Sequence, residues 1–303
     1  MNTQNKVVEI AGKHLGKVGG EGYKDTYAPE LLVAIPRHLN RETYHIHETD
    51  LPFMGEDVWN AYEVSAITEK GLPVSGMMKI VCDAESEMHV ESKSIKLYLN
   101  SFNMTRLGQT TEECRELVEK MVAEDLSKLL ISDVQVKWFL NSSQHMVAEF
   151  GTDFTPLRAL TDLDEINFDT YHSDASQLKV MASSAYKQEI KVHSDLLRSN
   201  CRVTNQPDWG DIYIHMEGHN IPDYASLAKY IVSHRQVSHF HEEICEMVFV
   251  HLLEAYDPDK LMVACLYTRR GGIDINPIRA THRDMIPTSF SSLLFRNKKT
   301  LRQ

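Results

Sequence analysis

The sequence predicts an α+β protein of two tandem ββααββ units, each an antiparallel sheet with its helices on one face. Three observations predict it. Strand-like and helix-like periodicities recur in the same order in both halves of the 303 residues, the helix starts of the two halves align residue by residue, and an acidic, irregular stretch lies between them. In the first half, residues 62–66 alternate as a half-buried strand should, and residues 74–83 read as a hairpin partner. A short helix is predicted over 91–100. A longer one follows Thr110 or Thr111, either of which can cap it, with Cys114, Leu117, Val118, Met121, Val122, Leu126 and Leu129 at helical spacing. Residues 133–140 return to strand character, with 146–150 as the expected partner.

The second half repeats the order. Residues 187–198 and 211–217 read as paired strands, residues 223–233 and 240–256 as helices, and residues 261–268 and 273–278 as closing strands. The parallel extends to single residues. Laying 91–101 on 223–233 aligns Ser94 with Ser226, Tyr98 with Tyr230 and Ser101 with Ser233; a two-residue shift then brings Thr111 onto His241 and Glu112, Glu113 and Glu116 onto Glu242, Glu243 and Glu246. Duplication is the better reading of such matches. Between Arg158 and Lys179 the acids Asp162, Asp164, Glu165, Asp169 and Asp174 occur without a Lys or Arg. The expected organisation is therefore a module over 1–150, a connecting segment with little regular structure over 151–184, and a second module over 185–303. Sheets of this kind leave edges that pair with neighbours, so oligomerisation, as a homodimer, is expected.

Composition narrows the function. A hydrophobic share of 42% with 25% charged residues is that of a globular chain, and a net charge of −11 disfavours stable binding to a nucleic-acid backbone. No apolar run reaches the length of a membrane span and residues 1–20 lack a signal-peptide core, so the expected location is the cytoplasm, without membrane contact. The five cysteines, Cys82, Cys114, Cys201, Cys245 and Cys265, form neither a disulfide framework nor a CxxC metal pair. No metal is expected.

Four segments carry residue types suited to chemistry. In SNCRVTNQPDWG (199–210), Cys201 sits in a predicted loop with Asp208 beside Pro207 in a turn. A thiolate nucleophile needs such a polar setting and a nearby acid, although from these residues alone an ordinary loop cysteine beside a turn aspartate is the better reading. ESKSIKLY (91–98) opens a helix after a strand, where free backbone N–H groups with Ser92 and Lys93 can hold a phosphate, or where Glu91 simply favours the helix start. In FHE (240–242), Glu242 can accept two hydrogen bonds from adjacent N–H donors, as a guanine-like edge offers, or can act as a first-turn acid. His239 nearby raises a metal site, which the missing HExxH does not support. In YTRRGGIDINP (267–277), paired arginines beside glycines suit an NADP phosphate or a solvated hairpin tip. The glycine-rich GKHLGKV (12–18) fits neither a P-loop nor GxGxxG, and GxSxG is absent.

Taken together, ESKSIKLY with LNSFN (99–103), SNCRVTNQPDWG, FHE and YTRRGGIDINP closely resemble the segments of the NADPH-dependent 7-cyano-7-deazaguanine reductases of queuosine biosynthesis, in their two-module form. The resemblance covers most of the chain. It implies a tunnelling fold of two ββααββ units and the four-electron reduction of a nitrile to 7-aminomethyl-7-deazaguanine by two NADPH. Carried onto matching positions, it makes Cys201 the nucleophile of a covalent thioimide and Asp208 the proton donor, with His241 assisting proton transfer. Val90 (through its backbone), Glu91, Ser92, His241 and Glu242 would hold the deazaguanine, and Ser92, Lys93, Arg270 and Gly271 would contact NADPH. Two rivals remain: a zinc-dependent tunnelling-fold enzyme acting on pterins or GTP, for which no Cys/His constellation can be assembled, and a non-catalytic purine-binding or RNA-interacting module.

Overall fold

A computed structural model describes residues 24–202, 205–301 and 303, so the glycine-rich 12–22 stretch lies outside the described residues. In chain order the principal elements are β1 (Ala34–Pro36), α1 (His38–Arg41), β2 (Met54–Ile67), β3 (Pro73–Asp83), β4 (Met88–Val90), α2 (Ser92–Asn100), α3 (Thr111–Leu130) and β5 (Val134–Leu140). The short β6 (Met146–Ala148) and β7 (Thr155–Pro156) lead to β8 (Val180–Ser194), β9 (Arg198–Cys201), β10 (Pro207–Pro222), α4 (Tyr224–Ser233) and β11 (Ser238–His239). The chain ends with α5 (His241–Tyr256), β12 (Lys260–Tyr267), β13 (Ile273–Ala280), α6 (Thr288–Ser291) and β14 (Phe295–Asn297).

Strands of both halves share one mixed sheet in an α+β fold. Its antiparallel path runs β5–β3–β2–β13–β12–β10–β8, and the seam between the halves is the β13–β2 pair, Ile273 opposite Ala61 through Ala280 opposite Met54. Alternation along the strands gives each face its own core. On one face, α2 and α3 cover β2, β3 and β5 while α4 and α5 cover β10 and β12. On the other, Val58, Met262, Ala264 and Ile278 pack under Phe154, Met285 and Phe290 from connecting and C-terminal segments. The stripe of α3 that reaches the core is Cys114, Val118, Val122, Leu126 and Leu130; Leu117 is exposed.

Residues aligned between the two halves make matching hydrogen bonds. Ser94 N–H donates to Glu91 Oε2 at 2.7 Å and its Oγ donates to Glu91 O at 2.7 Å; Ser226 makes the same two bonds to Asp223, at 2.9 and 2.7 Å. The hydroxyls of Ser94 and Ser226 also each accept from an incoming backbone N–H, of Val33 and Lys179, both at 3.1 Å. Ser101 and Ser233 donate to the carbonyls of Tyr98 and Tyr230 at 2.6 and 2.7 Å. Thr110, not Thr111, caps α3, accepting from Glu113 N–H at 3.1 Å, a contact worth about 1 kcal/mol.

Three expectations need correction. The 146–150 stretch is not the partner of β5: β6 pairs in parallel with β14, so among the described residues the first half contributes three strands to the sheet, not four. Both Met146 and Val147 are exposed, and without an inward apolar face the segment gains nothing by extending the sheet. The strand expected over 187–198 begins earlier, at Val180 inside the expected connection, and stops at Ser194; Arg198 opens β9. Finally, Asp208 lies in β10 and not in a turn, because Pro207–Trp209 pair with Arg198–Asn200 as a two-stranded ribbon. Apart from the two-residue β7, which pairs in parallel with β8, the remainder of the acidic connection is irregular, with short 3-10 turns at Leu157–Ala159, Leu163–Glu165 and Ala175–Gln177. Among the described residues no helix is long and apolar enough to cross a membrane.

Candidate active site

A cavity of about 300 Å³ opens over the seam, and every site residue proposed from the sequence lines it: Val90, Glu91, Ser92 and Lys93 from the first half, and Cys201, Asp208, His241, Glu242, Arg270 and Gly271 from the second. Its floor is Trp59 with Ile273 and Ile275, Trp59 lying directly across from Ile275 on β2 and β13. These apolar groups suit a flat ring system.

Cys201 is held by its ribbon. Its N–H donates to Gln206 O at 2.8 Å and its carbonyl accepts from Asn205 N–H at 2.9 Å, closing a tight reversal. Asn205 sits at φ +54°, a region Asn tolerates. On the other side β11 runs parallel to β9 with His239 beside Cys201, and two residues later the chain enters α5 at His241. The thiol is half-buried, whereas the other four cysteines are fully buried.

Arg270 ties the chemistry together. Its Nη1 donates to Asp208 Oδ1 at 2.5 Å and its Nη2 to Gln206 Oε1 at 2.6 Å, and the guanidinium also hydrogen-bonds the Cys201 side chain. A two-residue Gly271–Gly272 turn, φ +59° and +80°, presents Arg270 at the hairpin tip, closed by a pair of Arg270–Ile273 backbone bonds. A Cβ on Gly271 would stand 2.7 Å from Lys96 Nζ, so glycine lets this cation approach. Asp208 is buried, with His241 Nε2 3.4 Å from its Oδ2. Burial pushes its carboxyl up, but His241 and Arg270 outweigh burial and hold it below the usual carboxylate range. The resting group is ionised.

The helix starts supply the remaining polar groups. Glu91 caps α2 by accepting from the N–H groups of Lys93 and Ser94 at 3.0 and 2.7 Å while still facing the cavity. Each carboxylate oxygen has a second lone pair, so capping and ligand contact are compatible. Glu242, in the first turn of α5, is fully buried. Burial and the nearby Asp57 charge push its carboxyl up to about 7, against the opposing pull of His241 and Arg37. One turn on, Glu246 anchors α5 to the sheet: Arg41 and Arg279 both grip it, at 2.8 Å for their Nη2 atoms, and Arg279 and Arg37 also hold Asp57 at 2.8 and 2.6 Å. These buried pairs place the start of α5 rigidly over the cavity.

Sequence reasoning missed Trp59, His89, Lys96, Gln206, Ile273 and Ile275 among the lining residues. The period-two spacing of Gly271, Ile273 and Ile275 carried a usable signal, since residues two apart share a face. Trp59 and His89 carried none, their placement depending on strand pairing across the seam. Among the described residues, the three side chains whose ligand atoms converge within 4.8 Å, Glu189, His215 and Glu217, do not line this cavity.

Comparison with known proteins accords with this geometry. Residues 23–138 match the family model described as "Nitrile reductase, 7-cyano-7-deazaguanine-reductase N-term", and residues 207–285 match that of "QueF-like protein". The chain is 38% identical over 297 residues to the NADPH-dependent 7-cyano-7-deazaguanine reductase of Colwellia psychrerythraea, covering 94% of this chain and 97% of that protein. It is 41% identical over 261 residues to the enzyme of the same name from Coxiella burnetii, covering 86% and 89%. A crystal structure of the archaeosine synthase QueF-Like in the apo form aligns with 32% of this chain and 94% of its own at 15% identity and a TM-score of 0.28, too slight a likeness to argue from. By identity and coverage, this chain belongs to the 7-cyano-7-deazaguanine reductase family of nitrile reductases.

Proposed function

We propose that the protein reduces the nitrile of 7-cyano-7-deazaguanine to 7-aminomethyl-7-deazaguanine, with NADPH as reductant, through a thioimide on Cys201. The supporting observation is the convergence of five separated sequence segments on one cavity, with Cys201 and Asp208 bridged by a single arginine. We read the chain as two tunnelling-fold modules, 1–150 and 185–303, joined by 151–184 and acting as a homodimer on a free base in queuosine biosynthesis. The matched serine and tyrosine contacts of α2 and α4 support the duplication.

In this reading the flat base lies on Trp59, Ile273 and Ile275, and Glu242 and Glu91 accept from its ring and exocyclic N–H groups. Cys201 attacks the nitrile carbon. The S–H proton passes to Asp208 and on to the nitrile nitrogen, so that one S–C bond and one N–H bond form as one S–H bond and one C–N π bond break. Ionised Asp208 is suited to receive that proton. Lys93, Lys96 and Arg270 at the cavity mouth, with Ser92 and the close approach at Gly271, fit the phosphates of a dinucleotide. NADPH supplies, when bound, the two hydrides that carry the nitrile to the amine, four electrons in all. Between them Cys201 leaves as a thiolate, and Arg270 beside it stabilises that charge. The test is NADPH oxidation that depends on the cyano base, with two NADPH consumed per base and a product heavier by four hydrogens; NADPH consumption without the base, or none with it, would defeat the assignment.

Two further outcomes are expected. Glu242 is neutral below about pH 7 and ionised above, so base affinity, measured in Cys201→Ala to prevent reaction, should tighten roughly tenfold between pH 6 and 8. Glu242→Gln should weaken binding and flatten that dependence. Arg270→Ala should raise the KM for NADPH by about tenfold or more while changing base affinity less than about twofold; an unchanged KM would remove Arg270 from the cofactor site.

A further inference from the structure

The His241 imidazole rests on a second ring. Tyr267, the last residue of β12, is fully buried, and its ring lies parallel to His241, with centroids 3.9 Å and planes 9° apart. Such a stack fixes the imidazole plane and leaves its edges as the directed groups. One edge presents Nε2 to Asp208 Oδ2 at 3.4 Å, and the other holds Nδ1 buried without a hydrogen-bond partner among the described residues. With a single, long polar contact to its imidazole among the described residues, His241 is oriented mainly by what lies against its face.

The opposite strand makes room for that support. Gly210 lies directly across from Tyr267 on β10, and a Cβ there would stand 3.1 Å from Tyr267 Cδ1 and 3.2 Å from Cε1. The glycine two residues after Asp208 thus clears the space the tyrosine ring uses. The Tyr267 hydroxyl sits near Ser199 without a well-formed hydrogen bond, and burial, with the neighbouring Cys265 thiol, pushes its pKa well above the ordinary value. It stays protonated throughout the neutral range, so the ring is the useful part.

We propose that Tyr267 is a positioning residue: its ring sets the plane of His241 so that Nε2 meets Asp208, and Gly210 is present to admit that ring. The inference rests on the reading of Asp208 and His241 as the proton-transferring pair at Cys201. The experiment measures the rate of thioimide formation and its pH profile by rapid-quench intact mass without NADPH, and base affinity in the Cys201→Ala background. Tyr267→Leu is expected to slow adduct formation by on the order of 10–100-fold through misplacement, to leave base affinity within about twofold, and to change the pH profile in the same sense as His241→Ala. Tyr267→Phe, which keeps the ring, restores the rate. Combining Tyr267→Leu with His241→Ala should cost no more than His241→Ala alone.

A wild-type rate in Tyr267→Leu, or a Phe variant as slow as the Leu variant, would overturn the proposal. So would effects of Tyr267→Leu and His241→Ala that multiply. If removing the ring prevents folding, Gly210→Val pushes on the ring instead; it should slow the same step, and an unchanged rate in the folded variant counts against the proposal. Failure of the underlying reading looks different: Asp208→Asn and His241→Ala would then both form adduct at the wild-type rate.

Discussion

Cys201→Ala is expected to abolish turnover, with a loss of at least about 10³-fold, because no neighbouring side chain can replace a covalent nucleophile. The half-buried thiol faces the cavity at the end of β9, and Cys82, Cys114, Cys245 and Cys265 are locked in the core. Intact-mass analysis of protein mixed with the cyano base, without NADPH, should find a single adduct of the base's mass on the wild type and none on the variant. Adduct on Cys201→Ala would move the nucleophile elsewhere. Base binding should survive, because Glu242, Glu91 and the Trp59 floor are untouched.

Asp208→Asn is expected to cost about 10²–10⁴-fold in the same adduct step, the range for a positioned proton-transfer group. The amide can neither take the thiol proton nor deliver one to nitrogen. Asparagine preserves shape, so base affinity should change little, whereas Arg270 loses its ionic partner. The sign of the pH effect follows from the structure. His241 and Arg270 hold the Asp208 carboxyl low, so it stays ionised through the neutral range and gains a proton only as pH falls towards its depressed pKa. Adduct formation by the wild type should therefore fall on the acid side, and that limb should be missing in Asp208→Asn. Normal turnover by the variant would end the assigned role.

Much of the fold was legible because its signals are local. The hairpin of β2 and β3, the capped start of α3, the apolar run of β12 and the alternation in β13 follow from neighbours in sequence. The failures were of pairing: β6 has strand character yet finds β14, about 150 residues on, and nothing in residues 146–150 announces that choice. Asp208 was placed in a turn because Asn, Pro and Gly surround it, although Pro at the beginning of a strand is permitted. At the site, polar residues in distinctive segments were readable. The apolar floor and His89 were not, since Trp, Ile and His occur equally in any core. Tyr267 was visible in its segment, but its stack on His241 depends on how α5 returns over β12.

The position of the cavity on the β13–β2 seam bears on how such a chain can evolve. The first half contributes the start of α2, the second the Cys201 ribbon and the start of α5, so each half supplies only part of the cavity lining. The aligned positions of the opposite halves, Asp223 for Glu91 and Thr111 for His241, do not line this cavity: Asp223 caps α4, and Thr111 begins α3. On the proposed duplication, the two halves divide the labour, and selection tunes one complete pocket while the matched positions of the other half drift. A gene encoding either half by itself would specify a fragment of the catalyst, and insertion or deletion at the seam would be purged more stringently than in the acidic connection.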